Sequence, residues 1–213
     1  MDEICIIIDD ASKKDAEKIR KVLVPIDVHL IINEDRKGIG HAIRQGIQYA
    51  LAKDFDIVVV LAGNQKDDPR EISRLLEPIL IEDYDYVQGS RFLAGGRHVK
   101  TPFLRGVFSR LYPFFWTLLT NVRCTDVTNG FRAYKLKIFE DPKINIRQEW
   151  LDDYELEYYI HYKVLTLGYK TIEVPVSKIY SHRNKGGYSK ISPFRDWWRI
   201  VRPLFYLRLG AKN

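Results

Sequence analysis

The chain has 213 residues, of which 46% are hydrophobic and 29% charged. That supports one α/β domain around a single core and excludes a disordered, low-complexity or repeat protein. The formal charge of +6 points to an anionic partner such as a nucleotide, a lipid phosphate, a phospholipid or nucleic acid, with an ordinary solvated basic surface as the alternative.

Two cysteines, Cys5 and Cys124, form no close-spaced motif, and Cys5 lies within an apolar run, so a reducing compartment is expected. The first residues are acidic and lead directly into a strand pattern, unlike a secretory signal. The most apolar stretch, 111–119, contains Pro113 and is too short to span a bilayer.

Residues 4–8 are a β-branched apolar run, the signature of a buried strand, ending in Asp9-Asp10-Ala11-Ser12. Helical spacing follows over 12–24 until Pro25, then a second strand over 28–32. Lys37-Gly38-Ile39-Gly40-His41-Ala42 opens a helix reaching about residue 53. Ile57-Val58-Val59-Val60-Leu61 is the central strand, and it stops at Ala62-Gly63-Asn64-Gln65-Lys66-Asp67-Asp68-Pro69. Pro69 opens a helix to residue 81, with Asp67 and Asp68 placed to cap it. Alternating strands and helices predict a parallel, doubly wound sheet with Asp9, Asn33 and Asn64 along one rim, where ligands bind in such folds.

A shorter strand is expected over 84–89, a glycine loop at Gly95-Gly96, and a very apolar helix from Pro102 interrupted by Arg105 and Arg110. Asp126-Val127-Thr128-Asn129-Gly130-Phe131-Arg132 leads into a short strand. An amphipathic helix over 151–167, an edge strand over 171–176 and a basic glycine-containing loop over 182–190 follow. Ser192-Pro193 starts a last helix, which Pro203 is expected to kink or end. The organisation is then one domain over 1–191 and a basic, aromatic, amphipathic helix over 192–213. That helix suits an anionic membrane surface, or packing on the core.

Seven segments, in this order, resemble one family. They are Asp9-Asp10-Ala11-Ser12, Gly38-Ile39-Gly40-His41-Ala42, the 58–69 segment, Gln88-Gly89-Ser90-Arg91-Phe92, the 126–132 segment, Glu173-Val174-Pro175-Val176, and Arg183 to Ser189-Lys190. Together they resemble family 2 glycosyltransferases of the GT-A fold, near the dolichol-phosphate mannosyltransferase group. The resemblance implies a Rossmann-like, mostly parallel sheet with helices on both faces. It also implies sugar transfer, with inversion, from a GDP- or UDP-linked donor to polyprenyl or dolichyl phosphate at the cytoplasmic membrane face, with Mg²⁺ or Mn²⁺ as cofactor.

Residue by residue, it places the donor at Asp9, Asp10, Gly38, Asn64, Lys66, Arg183, Ser189 and Lys190. It places the acceptor phosphate at Arg91 and Arg105, and catalysis at Asp126 and Arg132. Alternatives remain for several. Asp9 or Asp10 suits capping of the next helix, Gly38 and Gly40 suit close packing, Asp126 suits a turn, and Arg105 suits a helix surface. Asp152, Asp153 and Glu155 fit a helix start.

Two departures stand out. The family's Asp-any-Asp metal motif reads Ala62-Gly63-Asn64, leaving Asn64, with Asp67 and Asp68 close by, as oxygen ligands for a hard cation, although both acids are better explained as helix-start residues. Lys66 is placed to supply part of the missing positive charge. The family's usual first strand is also missing, with three alternatives: a naturally short chain, a second copy or partner chain covering the exposed sheet edge, or altered donor binding. The alternative function is a binding or regulatory relative with impaired catalysis. No nucleic-acid motif is present, so nucleic acid is not an expected partner.

Overall fold

The computed structural model describes residues 2–10, 12–23, 27–101, 103–180 and 195–212. The chain starts with β1 (Ile4–Asp9), α1 (Lys13–Leu23) and β2 (Val28–Asn33). Ser12 begins α1, its hydroxyl accepting from the Asp15 amide at 3.3 Å, so neither Asp9 nor Asp10 is the cap. Next come α2 (Ile39–Ala52), β3 (Ile57–Val60), a 3₁₀ turn at Pro69–Glu71 and α3 (Ile72–Glu82). They are followed by β4 (Tyr86–Ser90), β5 (Arg97–Val99), α4 (Phe103–Thr120) and β6 (Arg132–Lys135). A 3₁₀ turn at Glu149–Leu151, α5 (Glu155–Thr166), β7 (Thr171–Pro175), β8 (Ser177–Ile179) and α6 (Arg195–Arg208) complete the order.

The expected mostly parallel pairing holds for β1–β2, β4–β7 and β5–β8, but β6 runs antiparallel and the strands divide into three ladders. β3, β6, β4 and β7 form a four-stranded sheet in that order, with β6 antiparallel to both neighbours and β4 parallel to β7. The register gives the reason: Arg132 pairs with Val60 and with Gln88. β6 therefore enters at the rim where β3 and β4 end, and can only run back. That rim gathers residues 61–68, Arg91, the 126–131 loop and the end of β7.

β1 and β2 form their own parallel ladder, and among the described residues β1 makes no ladder with β3. Helix α2 packs on both. The open edges show in the burial. Ile57 to Val60 are only half-buried, whereas every residue of β4, which has a partner on each side, is buried.

Helices do cover both faces of the four-stranded sheet. Alternation along β4 and β6 sends Tyr86 and Tyr134 to one side and Val87 and Ala133 to the other. The first side packs Leu156, Tyr159, Ile160 and Val164 of α5. The second packs Leu75 and Ile79 of α3. Each such buried aliphatic side chain stabilises the fold by roughly 1.5–3 kcal/mol.

A third cluster joins α4, α5 and α6 through Tyr112, Trp116, Tyr158, Ile200 and Leu204. The Tyr112 hydroxyl donates to the Ile200 carbonyl at 2.7 Å. Pro203 does not end α6, which runs through it to Arg208. Buried Ile200, Leu204 and Leu207, spaced four and three apart, hold it against the body, and Arg199 and Arg202 pair with Asp153 and Glu155.

Candidate active site

The end of β3 opens into a cleft of about 410 Å³ lined by Leu61, Ala62, Gly63, Lys66, Asp67 and Ile179, among others. Its backbone turns sharply: the Asn64 amide donates to the Ala62 carbonyl at 2.8 Å, and Gln65 takes a φ of 59°. The Asn64 side chain accepts from the Lys66 amide at 3.2 Å, a local turn contact on an exposed residue. Lys66 lies over the Tyr180 ring, 4.9 Å from its centroid. Asp68 caps the following 3₁₀ turn by accepting from the Arg70 amide at 3.0 Å, and hydrogen bonds from Arg70 bring its pKa to about 2. Asp67, also expected as a cap, instead lies buried with both oxygens on Lys178 Nζ, at 2.7 and 2.9 Å. Lys178 reaches on to Asn129 Oδ1 at 3.0 Å.

That geometry corrects the cation site anticipated here. Ala62 offers no ligand, Asn64 Oδ1 serves the turn, and the Asp67 carboxylate is already neutralised by a lysine. Among the described residues no three His, Cys, Asp or Glu side chains converge to hold a metal ion. A divalent cation needs several free oxygens, so the residues at this strand end do not fit one.

The second half of the rim is built on a buried ion pair. Arg91 grips Asp126 through Nε at 2.6 Å and Nη2 at 2.7 Å, and both side chains are essentially inaccessible. Asp126 also accepts from the Arg91 and Thr128 amides at 3.1 and 3.2 Å. Burial alone would lower the Arg91 pKa, but the charge and hydrogen bonds of Asp126 outweigh it and raise it. Glu173 on β7 holds the same loop from below, accepting from the Thr125 amide at 2.8 Å and the Asp126 amide at 3.0 Å. Burial pushes its carboxyl pKa up.

Arg132 is fully buried and donates to three backbone carbonyls: Asn129 at 2.9 Å, Glu157 at 2.6 Å and Val127 at 2.8 Å. In this arrangement Arg132 braces the 126–131 loop. Behind it, Tyr86 donates to Gln88 at 2.5 Å, and Gln88 donates to the Asn129 carbonyl at 2.9 Å.

A second cleft of about 390 Å³ opens beside this loop, lined by Arg91, Phe92, Leu93, Gly96, His98, Arg110 and Thr125. The β5–β8 ladder contributes to both clefts: His98 of β5 lines the second, and Ser177 and Ile179 of β8 line the first.

The N-terminal candidates lie on the separate ladder. Asp9 accepts from the Lys37 amide and the Gly38 amide, both at 2.9 Å, so it organises the glycine turn. Asp10 is exposed with a φ of 68°. Gly38 has a φ of 104°, and a Cβ there would lie 2.3 Å from the Asp152 carbonyl oxygen. At Gly40 a Cβ would lie 2.1 Å from the Leu151 carbonyl oxygen. Close packing against 151–153 thus accounts for both glycines. Arg44 secures that contact through the Ile146 carbonyl and Asp152.

Arg183, Ser189 and Lys190 lie outside the described residues, as does the Arg105 side chain. Residue-by-residue reading missed Glu173, Lys178, His98 and Arg110. For Glu173 a signal existed: it is a charged residue within a strand that is otherwise largely apolar.

A family model described as glycosyl transferase family 2 matches residues 2–141. Polyprenol monophosphomannose synthase of Mycolicibacterium smegmatis is 26% identical over 190 residues, covering 88% of this chain and 69% of that protein. Undecaprenyl-phosphate mannosyltransferase of Micrococcus luteus is also 26% identical over 190 residues, covering 88% of this chain and 75% of its own. Among solved structures, glucosyl-3-phosphoglycerate synthase from Mycobacterium tuberculosis, in complex with Mn²⁺, UDP and phosphoglyceric acid, superposes with a TM-score of 0.62 at 17% identity. That match covers 100% of this chain and 69% of the other, and it establishes the GT-A fold.

Proposed function

Because the chain belongs to glycosyl transferase family 2, we propose that it moves a sugar from a nucleotide-sugar to a polyprenyl or dolichyl phosphate with inversion. The observation that carries this reading is that one sheet rim bears two clefts, one at the β3 end and one flanked by Arg91 and Arg110. Both relatives described above are named for lipid-phosphate acceptors. Inversion requires the acceptor oxygen to attack the anomeric carbon opposite the departing nucleotide.

A phosphate acceptor is already anionic, so no strong general base is needed. This agrees with an Asp126 fully engaged by Arg91. In our reading Asp126 and Arg132 position the loop between the clefts, and Arg91 supplies buried positive charge. At the β3 end Lys66 supports the departing diphosphate electrostatically. Divalent cations accompany the fold in its solved relative, but no step here is routed through one. GDP- and UDP-linked sugars are the donors to test, with residues 1–191 as the transferase domain.

We place the protein at a membrane surface. No helix among the described residues is long and apolar enough to cross a bilayer. However, α4 exposes Phe103, Leu111, Phe114, Phe115 and Leu118, α6 exposes Trp198 and Phe205, and Leu209 just beyond α6 is exposed too. Residues 91–125 contain six Lys or Arg and no Asp or Glu. Apolar side chains on an acid-free basic segment match an anionic lipid surface.

The test is transfer from radiolabelled GDP-mannose, UDP-glucose and UDP-N-acetylglucosamine to undecaprenyl phosphate in vesicles, with and without EDTA. Label recovered in the lipid fraction is the expected result. A second reading, a non-catalytic binding relative, is favoured by Ala62 and Asn64. Calorimetric binding of GDP or UDP without any transfer would select it.

A further inference from the structure

We infer that Arg110 and His98 form the seat for the acceptor's phosphate, and that the exposed apolar face of α4 carries its hydrocarbon chain. This rests on the lipid-phosphate reading above and names further residues for it. Arg110 is the exposed cation of the second cleft. Its guanidinium lies over the Phe92 ring, 5.6 Å from the centroid, and Nη2 meets His98 Nε2 at 3.2 Å. No carboxylate pairs with Arg110 among the described residues. Arg91, on the same cleft, has its charge balanced by Asp126. Arg110 is therefore the uncompensated charge available to an anion, and its planar fork suits phosphate oxygens.

His98 completes the seat. Arginine can only donate, so His98 Nε2 accepts and the proton sits on Nδ1 as a second donor. Burial, then the charges of Arg110 and Arg91, holds this imidazole pKa below its usual value. The ring therefore contributes a neutral hydrogen bond beside the arginine. Phe92 packs against it with centroids 5.3 Å apart, fixing the plane.

The position of Arg110 on its helix identifies the rest of the ligand. It is three residues beyond Val107 and four before Phe114, so it shares their face. Phe103, Val107, Phe114 and Leu118 on that face are 81%, 42%, 66% and 69% exposed. A single arginine within an exposed apolar stripe matches an amphiphile with one anionic head and a long hydrocarbon chain. Inorganic phosphate or a sugar phosphate would use the arginine and leave the stripe wet.

The experiment titrates farnesyl phosphate, inorganic phosphate and farnesol into wild-type protein, Arg110→Ala, Arg110→Lys and Phe114→Ser by calorimetry, with thermal melts confirming folding. Farnesyl phosphate should bind wild type best. Arg110→Ala should weaken it about tenfold or more, the loss expected of a charge-assisted hydrogen bond, with partial recovery in Arg110→Lys. Phe114→Ser should weaken farnesyl phosphate and leave inorganic phosphate unchanged.

Equal binding of farnesyl phosphate by wild type and Arg110→Ala would overturn the inference. Equal binding of inorganic and farnesyl phosphate would reduce the cleft to a free-anion site and overturn it too. Kinetics separate this inference from the transferase reading. Sugar transfer with an acceptor KM untouched by Arg110→Ala sinks only the seat. Loss of farnesyl phosphate binding in Arg110→Ala, with no transfer from any donor, keeps the seat and sinks the transferase.

Discussion

The two halves of the rim treat charge in opposite ways. At the β3 end the acids are neutralised locally: Asp67 by Lys178 and Asp68 by Arg70. Around Asp126 the acid is also paired, but a surplus of cations remains at the surface beside it. Among the described residues, one half offers no set of free oxygens for a metal, while the other leaves Arg110 exposed at a cleft. The two halves differ because they are built from different loops meeting at one sheet end.

The sharpest way to break this contrast is Asp126→Ala. It leaves Arg91 buried and unpaired, and should cost about 3–5 kcal/mol in urea unfolding, with transfer abolished. An unchanged midpoint would show that the pair does not hold the loop. Lys178→Met probes the other half, since it strands the buried Asp67 carboxylate and should cost a similar or slightly smaller amount. Adding Asp67→Leu should recover much of that loss, because the pair rather than either charge is the structural unit. Additive losses in the double variant would contradict this.

A third, pH-dependent test reaches the layer behind the Asp126 loop. His161 is fully buried 2.9 Å from the Tyr86 hydroxyl, and burial, reinforced by Arg132, holds its pKa well below 6.5. Tyr86 gives its proton to Gln88, so His161 Nδ1 donates to Tyr86 and Nε2 is the bare atom, which has no partner among the described residues. The folded state keeps this imidazole neutral while the unfolded chain protonates near 6.5. Its contribution is therefore fully present above that pH and is lost as pH falls, by about 1.4 kcal/mol per unit. The stability difference between wild type and His161→Phe should follow that slope. A difference independent of pH would refute a neutral buried imidazole.

The smallest effect is expected at Asn64→Ala. Asn64 is exposed and serves only its own turn, so stability should change by about 0.5 kcal/mol or less. Transfer rates with EDTA should match those with Mn²⁺. A large Mn²⁺ requirement that disappears in Asn64→Ala would restore a cation to this strand end.

Much of this was legible because apolar spacing is local. The runs at 4–8 and 57–61, and the helices over 39–52 and 155–166, declare themselves within a dozen residues. The antiparallel β6 was not legible, since its direction follows from where the chain re-enters the sheet after the α4 excursion. β5 and β8 are three residues each, too short to show alternation. The role of Asp67 was hidden because Lys178 is 111 residues away. Gly38 and Gly40 announced a tight approach, but the approaching group, the 151–153 backbone, came from another part of the chain. Arg110 read as an interruption of an apolar helix, and only the cleft beside it gives that interruption a purpose.

The separate β1–β2 ladder carries a consequence for how the molecule breathes. Among the described residues its strands form a backbone ladder only with each other, and packing of α2 and the Asp9 contacts with the Lys37 and Gly38 amides hold it in place. Such a unit can open without disturbing the four-stranded sheet, so amides of 4–9 and 28–33 should exchange with solvent sooner than those of β4 and β6. A nucleotide spanning Asp10 and the β3 end would bridge the two units. Donor binding would then be recorded as slowed hydrogen exchange in the first ladder, far from the sugar itself.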